Sequence, residues 1–291
     1  MEVVDKKILR EIYRERSPES KKYDFGLLLV IGGSYFYSGS PALNALAAFR
    51  AGVDMVRIIA PKRAADIIAS FSPNLAAYPL EGDYLLPKHL PILISMVESA
   101  KEVSHGKTAV VLGGGVGRSE ETQETILKFL EEISIPVVID ADAIYAVAQK
   151  PEIVAGKPFL FTPHAYEFFV LTGRDISKLS EEEKMKAVLE EAARLKTTIL
   201  LKGKLDLIAI SDGKNLAINK TGHPSMTVGG TGDTLAGIAG ALLVRGIDLF
   251  KAAQAAAFIN GLAGELAAKK FGEGMLATDL IEAIPEVLSK V

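Results

Sequence analysis

The segment Thr227-Val228-Gly229-Gly230-Thr231-Gly232-Asp233-Thr234 carries the most chemistry per residue in this chain. Its glycines permit tight backbone geometry, and it opens an apolar helical pattern through Ile238, Leu242 and Leu243. A helix N-terminus presents unpaired amides, so Gly230, Thr231 and Gly232 are placed to bind phosphate. Asp233 falls where phosphate charge would gather. A carboxylate there suits a base that takes the proton of a hydroxyl attacking phosphorus. The plainer alternative is an aspartate that merely starts a helix.

Polar groups recur at the ends of apolar runs. In Phe161-Thr162-Pro163-His164-Ala165-Tyr166-Glu167 the cap is expected at Thr162 and the first helical position at Pro163. His164 and Glu167, three apart, then share a helix face. His164 can hydrogen-bond a substrate and Glu167 can orient a magnesium-bound water, or the pair simply forms a capping turn. Val137-Val138-Ile139-Asp140-Ala141-Asp142 holds two carboxylates on one face if the strand continues. They orient substrate or hold a metal-bound water, or they cap the next helix; Asp142 is favoured as nearer solvent. Lys202-Gly203-Lys204-Leu205-Asp206 places two lysines where a buried run ends, suited to phosphate or to a solvated loop.

Two further turns matter. Ser38-Gly39-Ser40-Pro41-Ala42 reads as an N-cap at Ser40 with Pro41 first in a helix that Gly52 ends, either an anion site or an ordinary cap. Gly113-Gly114-Gly115-Val116-Gly117 has the glycine count of a dinucleotide fingerprint. It does not follow the first strand, and it lacks the Gly-Lys-Ser/Thr of a Walker loop. It lets a ligand approach the backbone, or it is a turn before a helix capped by Ser119.

The elements that must hold these groups alternate. Strands are expected at Leu27–Ile31, Met55–Ile59, Ala109–Leu112, Val137–Ile139, Phe159–Phe161 and Thr198–Leu201, several of them apolar throughout, as buried parallel strands are. Asp212-Gly213 between Leu207–Ile210 and Leu216–Ile218 predicts an antiparallel hairpin near one sheet edge. Val4, Ile8, Leu9 and Ile12 have helical spacing, and the chain after Thr227 reads as mostly helical. This is an α/β chain with a mostly parallel sheet. No linker or internal repeat divides it, so residues 1–291 are expected to form one domain.

Composition excludes several classes. With 33 basic and 36 acidic residues the net charge is −3, which gives no global attraction to nucleic acid or an anionic membrane. The chain has no cysteine, so thiolate catalysis, disulfides and zinc–sulfur sites are excluded. Met1-Glu2-Val3-Val4-Asp5-Lys6-Lys7 lacks a signal peptide's apolar core, and no stretch approaches the roughly 20 apolar residues of a membrane span. A cytoplasmic protein is expected.

In order along nearly the whole chain, these pieces resemble the ribokinase-like superfamily and, within it, the ADP/ATP-dependent NAD(P)H-hydrate dehydratase family. The matching pieces are Gly32-Gly33-Ser34 with Ala48-Phe49-Arg50-Ala51-Gly52, Gly113–Gly117, Asp140-Ala141-Asp142-Ala143, Thr162-Pro163-His164 with Glu167, Lys202-Gly203, Gly222-His223-Pro224-Ser225-Met226 leading into Gly229–Asp233, and Gly274-Met275-Leu276-Ala277-Thr278-Asp279-Leu280. Gly-Thr-Gly-Asp marks only the superfamily; Thr-Pro-His, Lys-Gly and the last piece point to the dehydratase. The resemblance implies a three-layer α/β/α fold and repair of hydrated NADH or NADPH, the S epimer. ADP or ATP would phosphorylate the ring hydroxyl, and phosphate would then leave where hydroxide leaves poorly. It implies Asp233 as catalytic base and substrate contact, with Ser40, Pro41, Ala42, Gly117, Asp142 and His164 on the hydrated cofactor. It implies Lys202, Gly203, Lys204, Leu205, Asp206, Gly230, Thr231 and Gly232 on the nucleotide, and Glu167 on magnesium. It further implies a homo-oligomer, a tetramer by family, and a functional link to a separate epimerase.

The chain departs from the family pattern in four ways. Ser40-Pro41 stands where many members carry Ala-Ala, Asp206 where many bacterial members have Thr, and Asn260-Gly261 where His-Gly is usual. Members are often fused to an N-terminal epimerase, and this sequence carries the dehydratase part alone. Three other readings compete: a vitamin-precursor kinase of the superfamily, a non-catalytic nucleotide-binding protein, and a Rossmann oxidoreductase.

Overall fold

A computed structural model describes residues 2–289. Along the chain come β1 (Glu2–Val3), α1 (Lys7–Ile12), β2 (Leu27–Ile31), α2 (Gly39–Arg50), β3 (Met55–Pro61), α3 (Lys62–Phe71), β4 (Ala76–Leu80), α4 (Leu90–Val103), β5 (Thr108–Leu112), α5 (Glu120–Glu132), β6 (Val137–Ile139) and α6 (Asp142–Val147). There follow β7 (Phe159–Phe161), α7 (Ala165–Thr172), α8 (Glu181–Leu195), β8 (Thr198–Leu201), β9 (Asp206–Ala209), β10 (Leu216–Asn219), α9 (Thr231–Val244), α10 (Leu249–Phe271) and α11 (Ala277–Ser289).

The strands form one ten-stranded sheet in the order β1-β10-β9-β8-β7-β6-β5-β2-β3-β4. Among the described residues only β9 runs against the rest, pairing antiparallel with both β8 and β10. The hairpin lies one strand from the edge, closed by Asp212, whose Oδ1 accepts from the Lys214 and Asn215 amides at 2.8 and 2.9 Å. The sheet is therefore mostly parallel with an antiparallel hairpin near one edge.

Alternation along each strand feeds two cores. Leu28, Val30, Ile58, Val111, Val138 and Leu160 face the layer of α1, α2, α3, α9, α10 and α11. Leu29, Ile31, Val110, Leu112, Ile139 and Phe161 face α4 to α8. Burial on both faces is why these runs are apolar at every position.

Both edge strands were invisible to the pattern. β4 contains Pro79, which an edge strand tolerates, and most of its side chains are not buried. β1 is two exposed residues long. Its neighbour Val4 donates its amide to Ile218 O at 2.9 Å, so Val4 extends the edge pairing and α1 begins only at Lys7.

The close fit of α9 on α2 positions the site. A Cβ on Gly237 would lie 2.2 Å from Asn44 O, and one on Gly240 would lie 2.6 Å from Val111 Cγ2. Larger residues at either place would lift α9 off α2 and the sheet. Seated there, α9 buries Leu235, Ile238, Leu242 and Leu243, each stabilising by about 1.5–3 kcal/mol.

Candidate active site

The polar groups collect beyond the C-terminal ends of β2, β5, β6, β7 and β8, the place where open parallel sheets bind ligands. At the centre is the first turn of α9. Gly230 caps it with φ 98°, and a Cβ there would meet Leu43 Cδ1 at 2.6 Å and Ala277 Cβ at 2.9 Å. Glycine is required on both counts. The first helical bond runs from the Thr234 amide to Gly230 O at 3.0 Å. The amides of Thr231, Gly232 and Asp233 have no hydrogen-bond partner among the described residues. Three free donors on the positive end of a 14-residue helix make an anion cradle.

The turn is braced from behind. Thr231 Oγ1 donates to Met226 O at 2.7 Å, and Asn260 Nδ2 donates to Thr231 O at 3.2 Å. Thr234 Oγ1 in turn donates to Asn260 Oδ1 at 2.7 Å. Asn260 thus braces the first turn of α9.

Asp233 sits beside this cradle. Its Oδ1 accepts from Ser40 Oγ, and Asn44 Nδ2 lies 3.1 Å from its backbone oxygen and 3.4 Å from Oδ1. Burial first, and then the charge of Asp140, push its carboxyl up to about 6 against the pull of Ser40, Lys202 and Asn44. At neutral pH it is ionised yet basic enough to accept a proton.

Lys202, the residue after β8, reaches the first turn of α9. Its Nζ donates to Asp140 Oδ1 at 2.9 Å and lies 3.7 Å from Glu167 Oε2, and a Cβ on Gly232 would be 3.3 Å from it. Burial alone would lower its pKa, but Asp140, then Glu167 and Asp233, hold it above the usual lysine value. One permanent cation therefore faces three carboxylates next to the cradle. Thr162 Oγ1 donates to the same Asp140 oxygen at 2.7 Å.

His164, not Thr162, caps α7. Its Nδ1 accepts from the Tyr166 and Glu167 amides at 3.1 and 3.3 Å, while its own amide donates to Glu167 Oε2 at 2.8 Å. This capping turn leaves the His164 ring exposed while Glu167 is 6% exposed. Among the described residues no three His, Cys, Asp or Glu side chains gather as a metal cluster. A lone Glu167 suits a magnesium ion that arrives on nucleotide phosphates and keeps most of its waters.

The remaining expected residues divide. Gly117 and Asp142 meet: the Gly117 amide donates to Asp142 Oδ2 at 3.0 Å, and Arg118 Nε donates to Oδ1 at 2.6 Å. Ser40 is the second residue of α2, capped at Ser38, so its hydroxyl is free to turn inward. Pro41 and Ala42 are buried, Pro41 against Gly32 and Gly33. Gly203 and Lys204 are exposed, and Leu205 packs on the second core. The oxygens of Asp206 accept from the Gly203 amide at 3.1 Å and from Asn219 Nδ2 at 3.0 Å. Burial pushes its carboxyl up to about 6 against those two hydrogen bonds.

Two central residues, Asn44 and Tyr37, were not singled out by the sequence, and a third, Asp140, was ranked behind Asp142. The strand ends at Ile139 and Ala141 has φ 49°, so Asp140 points to Lys202 and Asp142 to Gly117, on diverging paths. Asn44 carried one signal: with Ser40 it makes a polar pair one turn apart inside an alanine-rich helix. Tyr37, packed against Gly115, carried none; burial and the charge of Asp233 raise its phenol.

The family model for NAD(P)H-hydrate dehydratase matches residues 28–286. The chain belongs to this family. It is 45% identical over 94% of its length to the bifunctional NAD(P)H-hydrate repair enzyme of Pyrobaculum aerophilum, covering 53% of that protein. It is 36% identical to the ADP-dependent (S)-NAD(P)H-hydrate dehydratase of Cenarchaeum symbiosum, over 96% of this chain and 94% of that one. The chain spans about half the length of the bifunctional relatives it matches. Among solved structures, the ADP/ATP-dependent NAD(P)H-hydrate dehydratase from Bacillus subtilis, co-crystallized with ATP and Mg2+, superposes with a TM-score of 0.78 at 27% identity, over 97% of this chain and 95% of that one. The fold of this dehydratase-family chain is the ribokinase-like one.

Proposed function

We propose that this protein is an ADP- or ATP-dependent dehydratase that restores NADH or NADPH from the S epimer of its hydrate. The observation that carries the reading is the juxtaposition of three free amides at Thr231–Asp233, the buried basic carboxylate of Asp233 and the cation of Lys202. Such a site fits phosphoryl transfer to a hydroxyl, in which positioning and charge neutralisation do most of the work.

In this reading the cradle and Lys202 receive the nucleotide phosphates. Asp233 takes the proton of the ring hydroxyl as its oxygen bonds to the terminal phosphorus, and the phosphorus–oxygen bond to the nucleotide breaks. Loss of phosphate and a ring proton then leaves the reduced cofactor. The rim of Gly117, Asp142 and His164 holds the hydrated ring. Magnesium, when bound with the nucleotide, would neutralise phosphate charge, and Glu167 would help hold it there. The reading extends to a homo-oligomer, a cytoplasmic setting, a single domain and work alongside an epimerase. No described helix is long and apolar enough to cross a membrane.

The test is recovery of NADH absorbance from hydrated NADH on adding protein, Mg2+ and either ADP or ATP. Recovery with one of them supports the reading. A stable phosphate ester without recovery would identify a small-molecule kinase, and no turnover with either nucleotide would overturn both.

A further inference from the structure

Two donors converge on one oxygen of Asp233. Ser40, 1% exposed, donates its hydroxyl to Oδ1, and Asn44, 2% exposed and one turn further along α2, brings Nδ2 to 3.4 Å from it. Asp233 Oδ2 has no hydrogen-bond partner among the described residues. The fit is closed by Gly114, where a Cβ would stand 1.8 Å from Ser40 Oγ and 3.1 Å from Asp233 Oδ1. An aspartate's carboxylate torsion is broad by nature, so a base that must meet a hydroxyl in one orientation needs such a clamp.

We propose that Ser40 and Asn44 are positioning residues for Asp233, which pin Oδ1 so that Oδ2 receives the proton of the acceptor hydroxyl. This rests on the phosphoryl-transfer reading above. As the acceptor oxygen bonds to the terminal phosphorus, the phosphorus–oxygen bond to the nucleotide breaks, its electron pair leaves with the nucleotide, and the acceptor's proton moves to Oδ2. Ser40 makes no contact with the hydrated cofactor in this arrangement, because its hydroxyl is buried and already given to Oδ1. The other groups that face Asp233 are Asp140 and Lys202 below it and the phenol of Tyr37 from the preceding loop.

The experiment compares the full chain with Ser40→Ala, Asn44→Ala and the double variant, using hydrated NADH, Mg2+ and the preferred nucleotide. The clamp predicts a kcat lowered roughly 10- to 100-fold in Ser40→Ala, with KM for both substrates changed less than about threefold. It also predicts that the acid limb of kcat/KM moves up by about one pH unit, because a donor that favoured the ionised form is gone. Carbon-13 titration of the Asp233 carboxyl in the ligand-free protein, assigned with Asp233→Asn, should show the same upward move. Should Ser40→Ala fail to fold, Asn44→Ala carries the same two readouts at smaller amplitude. A KM for hydrated NADH raised tenfold at unchanged kcat would make Ser40 a substrate contact and overturn the proposal, as would an unmoved carboxyl titration. If the wild-type protein does not restore NADH, the functional reading fails, and the carboxyl titration still decides whether the clamp exists.

Discussion

Lys202 Nζ lies 2.9 Å from Asp140 Oδ1, beneath the helix turn that carries Asp233. Residues 62 positions apart in sequence are thereby joined under the anion cradle. Removing only one member of a pair this buried leaves an uncompensated charge. Lys202→Met is expected to cost about 3 kcal/mol of stability in urea unfolding, near the low end for buried pairs because Thr162 still serves Asp140. Asp140→Asn/Lys202→Met should recover part of that loss. Turnover should not recover, since the cation proposed to receive phosphate is gone in both, and a fall of about 10²–10³ in kcat is expected.

Asp233→Asn keeps the shape of the side chain and removes the proposed base. Nucleotide affinity, measured by calorimetry, should hold within a few-fold while turnover falls about 10²–10⁴. In the wild type the rate should decline as pH drops through about 6, where the base becomes protonated. Stability has the opposite sense. Because the folded pKa is raised above the unfolded value near 3.8, the native state binds the extra proton, and stability falls as pH rises from about 4 to about 6. Asp206, raised to about the same value, adds to that slope. Asp233→Asn should therefore be more stable than wild type above pH 6, by about 2–3 kcal/mol, and equal to it near pH 3.5.

The seat of α9 is tested by Gly237→Ala. Its methyl would meet Asn44 O at 2.2 Å, and neither partner is a flexible side-chain end. Overpacking of this kind costs about 1–3 kcal/mol. Asn44 and Asp233 lie on the two helices that would be pushed apart, so kcat should fall although residue 237 touches no substrate. A lowered Tm with unchanged kcat would show that the first turn of α9 is held by Asn260 and Thr231 alone.

The sequence revealed the strands buried on two faces and the hairpin at Asp212-Gly213, because those patterns are local. It also revealed which turns bear polar groups. It did not reveal their directions. Asp140 and Asp142 look equivalent in a strand, yet the strand stops one residue before Asp140, and the positive φ of Ala141 sends the two apart. Ser40 looks like a cap, but the helix starts at Gly39, and the hydroxyl is spent on a residue 193 positions away. Asp206 looks like part of a phosphate loop, and in the structure its carboxylate ties that loop to Asn219. Each depends on partners brought by the sheet, which no local pattern encodes.

Magnesium and nucleotide should act together or not at all. Glu167 is one carboxylate already committed to its own helix cap, and no cluster of three metal donors exists among the described residues. Mg2+ alone at millimolar concentration is therefore expected to leave Tm unchanged. Nucleotide with Mg2+ at 100 times Kd should stabilise by about 2.7 kcal/mol, a rise of roughly 4–5 °C for a chain of this size. Glu167→Gln retains the backbone cap through its carbonyl oxygen but weakens the hold on a magnesium-bound water. Its nucleotide Kd should rise several-fold in the presence of Mg2+ and stay level in EDTA. An equal loss with and without Mg2+ would instead assign Glu167 to holding Lys202 and the α7 cap, with no part in metal binding.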